Sequence, residues 1–62
     1  MKVRMTVLGR PDTPVAIVKK PPRTARSCGM AWHKNSWWQL FWCEGKYYAI
    51  ELELFLVSRQ YA

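Results

Sequence analysis

Two hydrophobic runs meet at Glu44-Gly45, and this junction limits the fold more than any other feature of the chain. Upstream, Ser36 to Cys43 reads Ser-Trp-Trp-Gln-Leu-Phe-Trp-Cys; downstream, Lys46 to Val57 reads Lys-Tyr-Tyr-Ala-Ile-Glu-Leu-Glu-Leu-Phe-Leu-Val. Aromatic and β-branched side chains fill a pleated surface well, and no Gly or Pro breaks either run. Gly45 can take the positive φ that a tight hairpin turn requires. A β-hairpin closed at Glu44-Gly45 follows.

A two-residue turn fixes the register. Cys43 lies opposite Lys46, Trp42 opposite Tyr47, Phe41 opposite Tyr48, Leu40 opposite Ala49, Gln39 opposite Ile50, Trp38 opposite Glu51 and Trp37 opposite Leu52. Strand side chains alternate between faces, so this pairing sorts them into two sets. Trp37, Phe41, Tyr48, Ile50, Leu52 and Leu54 form an apolar set that reads as core. Trp38, Leu40, Trp42, Tyr47 and Ala49 share the other face with Glu51 and Glu53, whose carboxylates resist unpaired burial and bring that end to water. Trp38, Trp42 and Tyr47 then form a half-exposed aromatic patch, unless the first hairpin or the 21–36 segment covers it and makes the sheet two-sided.

The rest of the chain adds shorter strands. Lys2 to Leu8 alternates Val3, Met5 and Val7 with Lys2, Arg4 and Thr6, the period-2 pattern of a half-buried strand. Gly9-Arg10-Pro11-Asp12-Thr13-Pro14 concentrates turn formers, and Val15 to Val18 is a β-branched run that completes a first hairpin. Residues 19–27 hold four cations and the Pro21-Pro22 pair, which favours an extended, solvated loop. A short strand or helical turn is expected around Met30 to His33, with Lys34-Asn35 turning the chain into Ser36.

These elements predict a single all-β domain over 1–62: a five-stranded antiparallel meander with strands near 2–8, 14–19, 29–33, 36–43 and 46–57. It is a curled sheet of the size and pattern of SH3-like or OB-like barrels. The alternative is an α+β chain with a C-terminal helix over about 51–61, because Glu and Leu are good helix formers and Leu52, Phe55, Leu56 and Arg59 fit helical spacing. At 62 residues, half of them hydrophobic, the chain is too short for several domains and too apolar for a disordered polyelectrolyte.

No apolar run approaches the roughly 18 residues of a membrane span, and Met1 to Val7 is too often interrupted for a signal peptide, so the mature chain is taken to begin at Met1. Two cysteines, Cys28 and Cys43, cannot supply the multiple bridges of secreted mini-domains, which points to reduced thiols and a cytoplasmic setting.

Charge gives the functional direction. The net charge is +6, and residues 1–34 carry eight cations against Asp12 alone, while residues 35–62 carry Lys46 and Arg59 against Glu44, Glu51 and Glu53. A cationic field confined to one half of a chain attracts polyanions, of which phosphate backbones are the commonest. Lys19, Lys20, Arg23 and Arg26 are the first candidates for phosphate contact, with Arg10 and Lys34 beside them; Trp38, Trp42 and Tyr47 are the candidates for stacking on unpaired bases. The resulting expectation is a non-catalytic module that binds DNA or RNA. From a different class comes a small protein-binding or inhibitory module whose Trp/Tyr face or edge strand docks on a partner. Either way the chain is expected to be a monomer or homodimer with no membrane contact.

Catalysis finds little footing. His33 stands between Trp32 and Lys34 without an obvious partner, no Gly-rich phosphate loop is present, and only a Cys43–His33 approach across strands offers an activated nucleophile. The C-x4-H-x9-C spacing of Cys28, His33 and Cys43 matches no structural zinc pattern. No cofactor, metal or catalytic residue is expected.

Overall fold

The computed structural model describes residues 1–60, with side chains through Leu56. Five strands, β1 (Lys2–Val7), β2 (Arg10–Ile17), β3 (Arg26–His33), β4 (Ser36–Cys43) and β5 (Lys46–Glu51), are followed by helix α1 (Leu52–Gln60). Three hairpins account for most of the sheet: β1–β2, β3–β4 and β4–β5 are all antiparallel. Each is closed by two residues with positive φ: Leu8 at 51° and Gly9 at 80°, Lys34 at 49° and Asn35 at 61°, Glu44 at 49° and Gly45 at 79°. Those are the angles of turns whose twist matches the right-handed twist of the strands they join.

The hairpins are assembled by one parallel pairing. Val15, Ala16 and Ile17 of β2 lie beside Tyr47, Tyr48 and Ala49 of β5, giving the order β1-β2-β5-β4-β3. The sheet is thus mixed, where an antiparallel meander was expected; the 18–25 connection must cross β5 and β4 to reach β3, which lets β2 take the free edge of β5. The sheet curls until β1 touches β3 at its far edge. At that closure Gly29, with φ 126°, lies against the first turn, and a Cβ there would sit 3.5 Å from Leu8 Cδ2.

Strand limits shift for identifiable reasons. The first reversal is confined to Leu8-Gly9, and Pro11, Asp12 and Pro14 belong to β2 rather than to a long turn. A register shift between Met5 and Val7 absorbs the extra residues, with Asp12 at φ 56°. β3 starts at Arg26 rather than near residue 29, and Cys28 forms a bulge between Ser27 and Gly29.

β5 stops at Glu51, not at 57: Trp38–Glu51 is its last pair with β4, and the expected Trp37–Leu52 pair does not form although β4 continues to Ser36. Released from the ladder, the Leu/Glu-rich segment follows its helix propensity. The alternative reading of this segment is therefore the observed one, beginning at Leu52; its expected end at Tyr61 lies outside the described residues.

The β4–β5 register agrees with expectation from Cys43–Lys46 through Trp38–Glu51. The division into core and exposed faces does not. Leu40 and Ala49, on the face expected to meet water, have no exposure and belong to the main core with Met5, Val7, Val15 and Ala31. Phe41 and Ile50, on the opposite face, are also buried. Phe55 of α1 covers that side, its ring meeting Phe41 edge-to-face with centroids 5.7 Å apart. The sheet is buried on both sides through its centre, and the apolar burial that stabilises the domain is split between an inner core and a helix-covered layer.

Candidate nucleic-acid interface

The pairings of all five strands align at one level of the sheet. Val3 lies opposite Val15, Val15 beside Tyr47, Tyr47 opposite Trp42, and Trp42 opposite Arg26. Directly opposed residues share a face with Cβ atoms roughly 4.5–5.5 Å apart. Arg26, Trp42 and Tyr47 therefore form a row across three adjacent strands. Val3 and Val15 anchor the β1–β2 side of that row in the core, and Tyr47 packs against the core while half-buried. Trp42 is 44% exposed and Arg26 faces solvent.

Lys19, Lys20 and Arg23 are exposed along the 18–25 connection. Its start is pinned by the Val18 amide donating to Ala49 O at 3.0 Å, and a turn within it by the Ala25 amide donating to Pro22 O at 3.0 Å. Its end is fixed by Thr24 Oγ1, 3.3 Å from Cys43 Sγ. Cys43 adjoins Trp42, so this contact carries Arg23 to the end of β4 where Arg26 and Trp42 stand. Arg10 opens β2 five residues before Val15, about 17 Å from the row along the strand, after the first turn that packs against Gly29.

Two more of the nine nominated residues fall elsewhere. Trp38 packs against the core, and its indole N–H donates to His33 O at 3.0 Å, so it is a structural ring rather than a stacking surface. Lys34 sits in the β3–β4 turn at the opposite end of β3, just past His33, which is about 23 Å from Arg26 for seven residues at strand rise.

The same end holds residues that sequence reasoning did not nominate. A groove of about 400 Å³ runs between β2 and the start of β5, lined by Lys2, Thr13, Pro14, Ala16, Lys46 and Tyr48 among others. Pro14 has no N–H to donate to a neighbouring strand. The signal for Lys2 and Lys46 is long-range: only the parallel β2–β5 pairing brings the chain's start beside its second half.

All nine described Lys and Arg side chains are exposed, and among the described residues none is held in an ion pair. Arg4 instead donates to the Asp12 carbonyl at 2.9 Å. Their charge is therefore directed to solvent. Cys28 and Cys43 are free thiols, and partial burial pushes the Cys28 thiol above its usual range. Cys43 and His33 stand at opposite ends of β4, again about 23 Å apart, so the cross-strand nucleophile considered above does not assemble. Among the described residues no three metal-ligating side chains come together, and no helix is long and apolar enough to cross a membrane. Comparison with protein-family models, with curated proteins and with solved structures finds no match.

Proposed function

We propose that this protein is a non-catalytic nucleic-acid-binding module. The observation that carries this reading is the Arg26–Trp42–Tyr47 row, a cation beside an exposed ring and a half-exposed ring, with Arg23 held at the same end of the sheet by the Thr24–Cys43 contact. Arginine and lysine neutralise phosphates and release counterions, while Trp42 and Tyr47 stack on unpaired bases at roughly 1–3 kcal/mol per base. Lys19 and Lys20 extend the cationic path along the connection, while Lys2 and Lys46 belong by register to the other face of the sheet, where they flank the groove. SH3-like and OB-like barrels are small curled sheets of this size, and OB-folds use such a face to bind oligonucleotides. Two unpaired thiols suit a reducing cytoplasm.

Fluorescence anisotropy with labelled single-stranded DNA, single-stranded RNA and duplex DNA tests the proposal. Binding is expected at low ionic strength, weakened by charge reversal of Lys19, Lys20, Arg23 and Arg26 with the fold intact. Unchanged affinity in that variant rejects the connection as the contact. A protein-binding role has its own observation in its favour, a pair of exposed tryptophans at the far end of β3.

A further inference from the structure

Trp32 and Trp37 face each other across the β3–β4 ladder, away from the row at the other end of β3. Their rings meet edge-to-face, centroids 5.2 Å apart and planes at 68°. They are 55% and 49% exposed, an unusual state for the largest apolar side chain when two stand together. Between them and the β5–α1 junction lies a cleft of about 260 Å³, completed by Asn35, Ser36, Glu51, Leu52 and Glu53. Both glutamates are exposed. Of the four carboxylates in a chain of net charge +6, two stand at this one cleft.

An indole ring presents a negative face, and a carboxylate is an acceptor with full negative charge, so the two surfaces select for the same sign of ligand. A phosphate is repelled here, which separates the cleft from the proposed nucleic-acid row. A planar guanidinium meets both surfaces best. It lies flat on a ring while its edge donates to a carboxylate, and it is more weakly hydrated than an ammonium. Glu51 and Glu53 also offset the partial positive charge at the start of α1, but that duty does not call for two exposed tryptophans. Lys34, in the adjoining turn, opposes a cationic guest and sets a limit on affinity.

We propose that the Trp32–Trp37 cleft binds the guanidinium of an arginine side chain carried by a partner protein, with Glu51 and Glu53 as its counter-ions. The inference does not rest on nucleic-acid binding, and its failure leaves that reading untouched.

The test is a titration of the isotope-labelled protein followed by the tryptophan indole N–H resonances, assigned with Trp32→Phe and Trp37→Phe. The probes are acetyl-Gly-Arg-Gly-amide and its lysine and citrulline counterparts. The arginine peptide is expected to shift the Trp32 and Trp37 signals saturably at millimolar concentration while leaving Trp42 unmoved. The lysine peptide should bind several-fold more weakly and the neutral citrulline peptide not at all. Lys34→Ala should tighten arginine binding, and Glu51→Gln/Glu53→Gln should weaken it about tenfold, with circular dichroism confirming that α1 persists. If the double variant loses the helix, Glu51→Gln alone replaces it, with a weakening of several-fold expected. No response to the arginine peptide, an equal response to citrulline, or equal affinity for lysine overturns the proposal. So does wild-type affinity in whichever folded glutamine variant is measured.

Discussion

Replacing Trp38 with alanine separates its structural role from any role in binding. Trp38 occupies the inner face of β4, between Ala31 of β3 and Glu51 of β5, packs against the core and donates its indole N–H to His33 O at 3.0 Å. Truncating a core tryptophan costs about 3–5 kcal/mol, and losing the hydrogen bond adds roughly 1 kcal/mol. Whole-domain stability at about 0.05–0.15 kcal/mol per residue amounts to only about 3–9 kcal/mol for a chain of this length. Trp38→Ala is therefore expected to remove most of the stability. With a urea m-value near 1 kcal/mol/M, the midpoint should fall by about 4–6 M or the transition should vanish. Trp38→Phe keeps a ring in the site and should lose about 1–2 kcal/mol. Urea unfolding followed by far-ultraviolet circular dichroism reads the difference. A Trp38→Ala protein with an unchanged midpoint would refute the placement of this ring in the core, and with it the division of labour between Trp38 and Trp42.

Other consequences are as direct. Leu40→Ala, at a site with no exposure, should cost about 2–5 kcal/mol in the same assay. Glu44 has φ 49°, a conformation asparagine tolerates better, so Glu44→Asn should raise stability by a few tenths to about 1 kcal/mol; a lowered midpoint would contradict the turn geometry. Because burial raises the pKa of the Cys28 thiol, it holds its proton at pH 8 more than a free cysteine does. Alkylation of Cys28 should be slower than that of a model thiol at pH 8 and approach it at higher pH. The folded state disfavours the thiolate, so this group lowers stability as pH rises through and above the range where an unburied thiol ionises. Trp42→Ala should weaken single-strand binding by about 5- to 100-fold, reflecting the loss of one stacked base, and change duplex binding less.

What the chain reveals by itself follows the range of its interactions. The Glu44-Gly45 turn, the Lys34-Asn35 turn and the pairing of Trp42 with Tyr47 are local, and each is legible from turn residues and a period-2 pattern. The parallel contact of Val15–Ile17 with Tyr47–Ala49 joins segments some thirty residues apart and leaves no local mark. It decides the most: it converts the face bearing Leu40 and Ala49 into the inner core, draws Trp38 inward, and brings Lys2 and Lys46 to one groove. The Leu52–Leu56 segment fits either period, and only the end of the β4–β5 ladder at Trp38–Glu51 marks where strand gives way to helix. Alternation alone puts Trp37 in the core, yet it lies beyond the last β4–β5 pair and remains exposed beside Trp32. Of the proposed site, Arg26, Trp42 and Tyr47 were nominated from sequence, but their alignment in one row needed the register of β3 on β4 as well.

The salt dependence of nucleic-acid affinity bears most directly on the proposed function. With about four phosphates neutralised by Lys19, Lys20, Arg23 and Arg26, log K should fall against log salt with a slope near −2.8 for single strands and −3.6 for duplex. A slope near zero, or no binding at the lowest ionic strength, would contradict a function built on these solvent-facing cations.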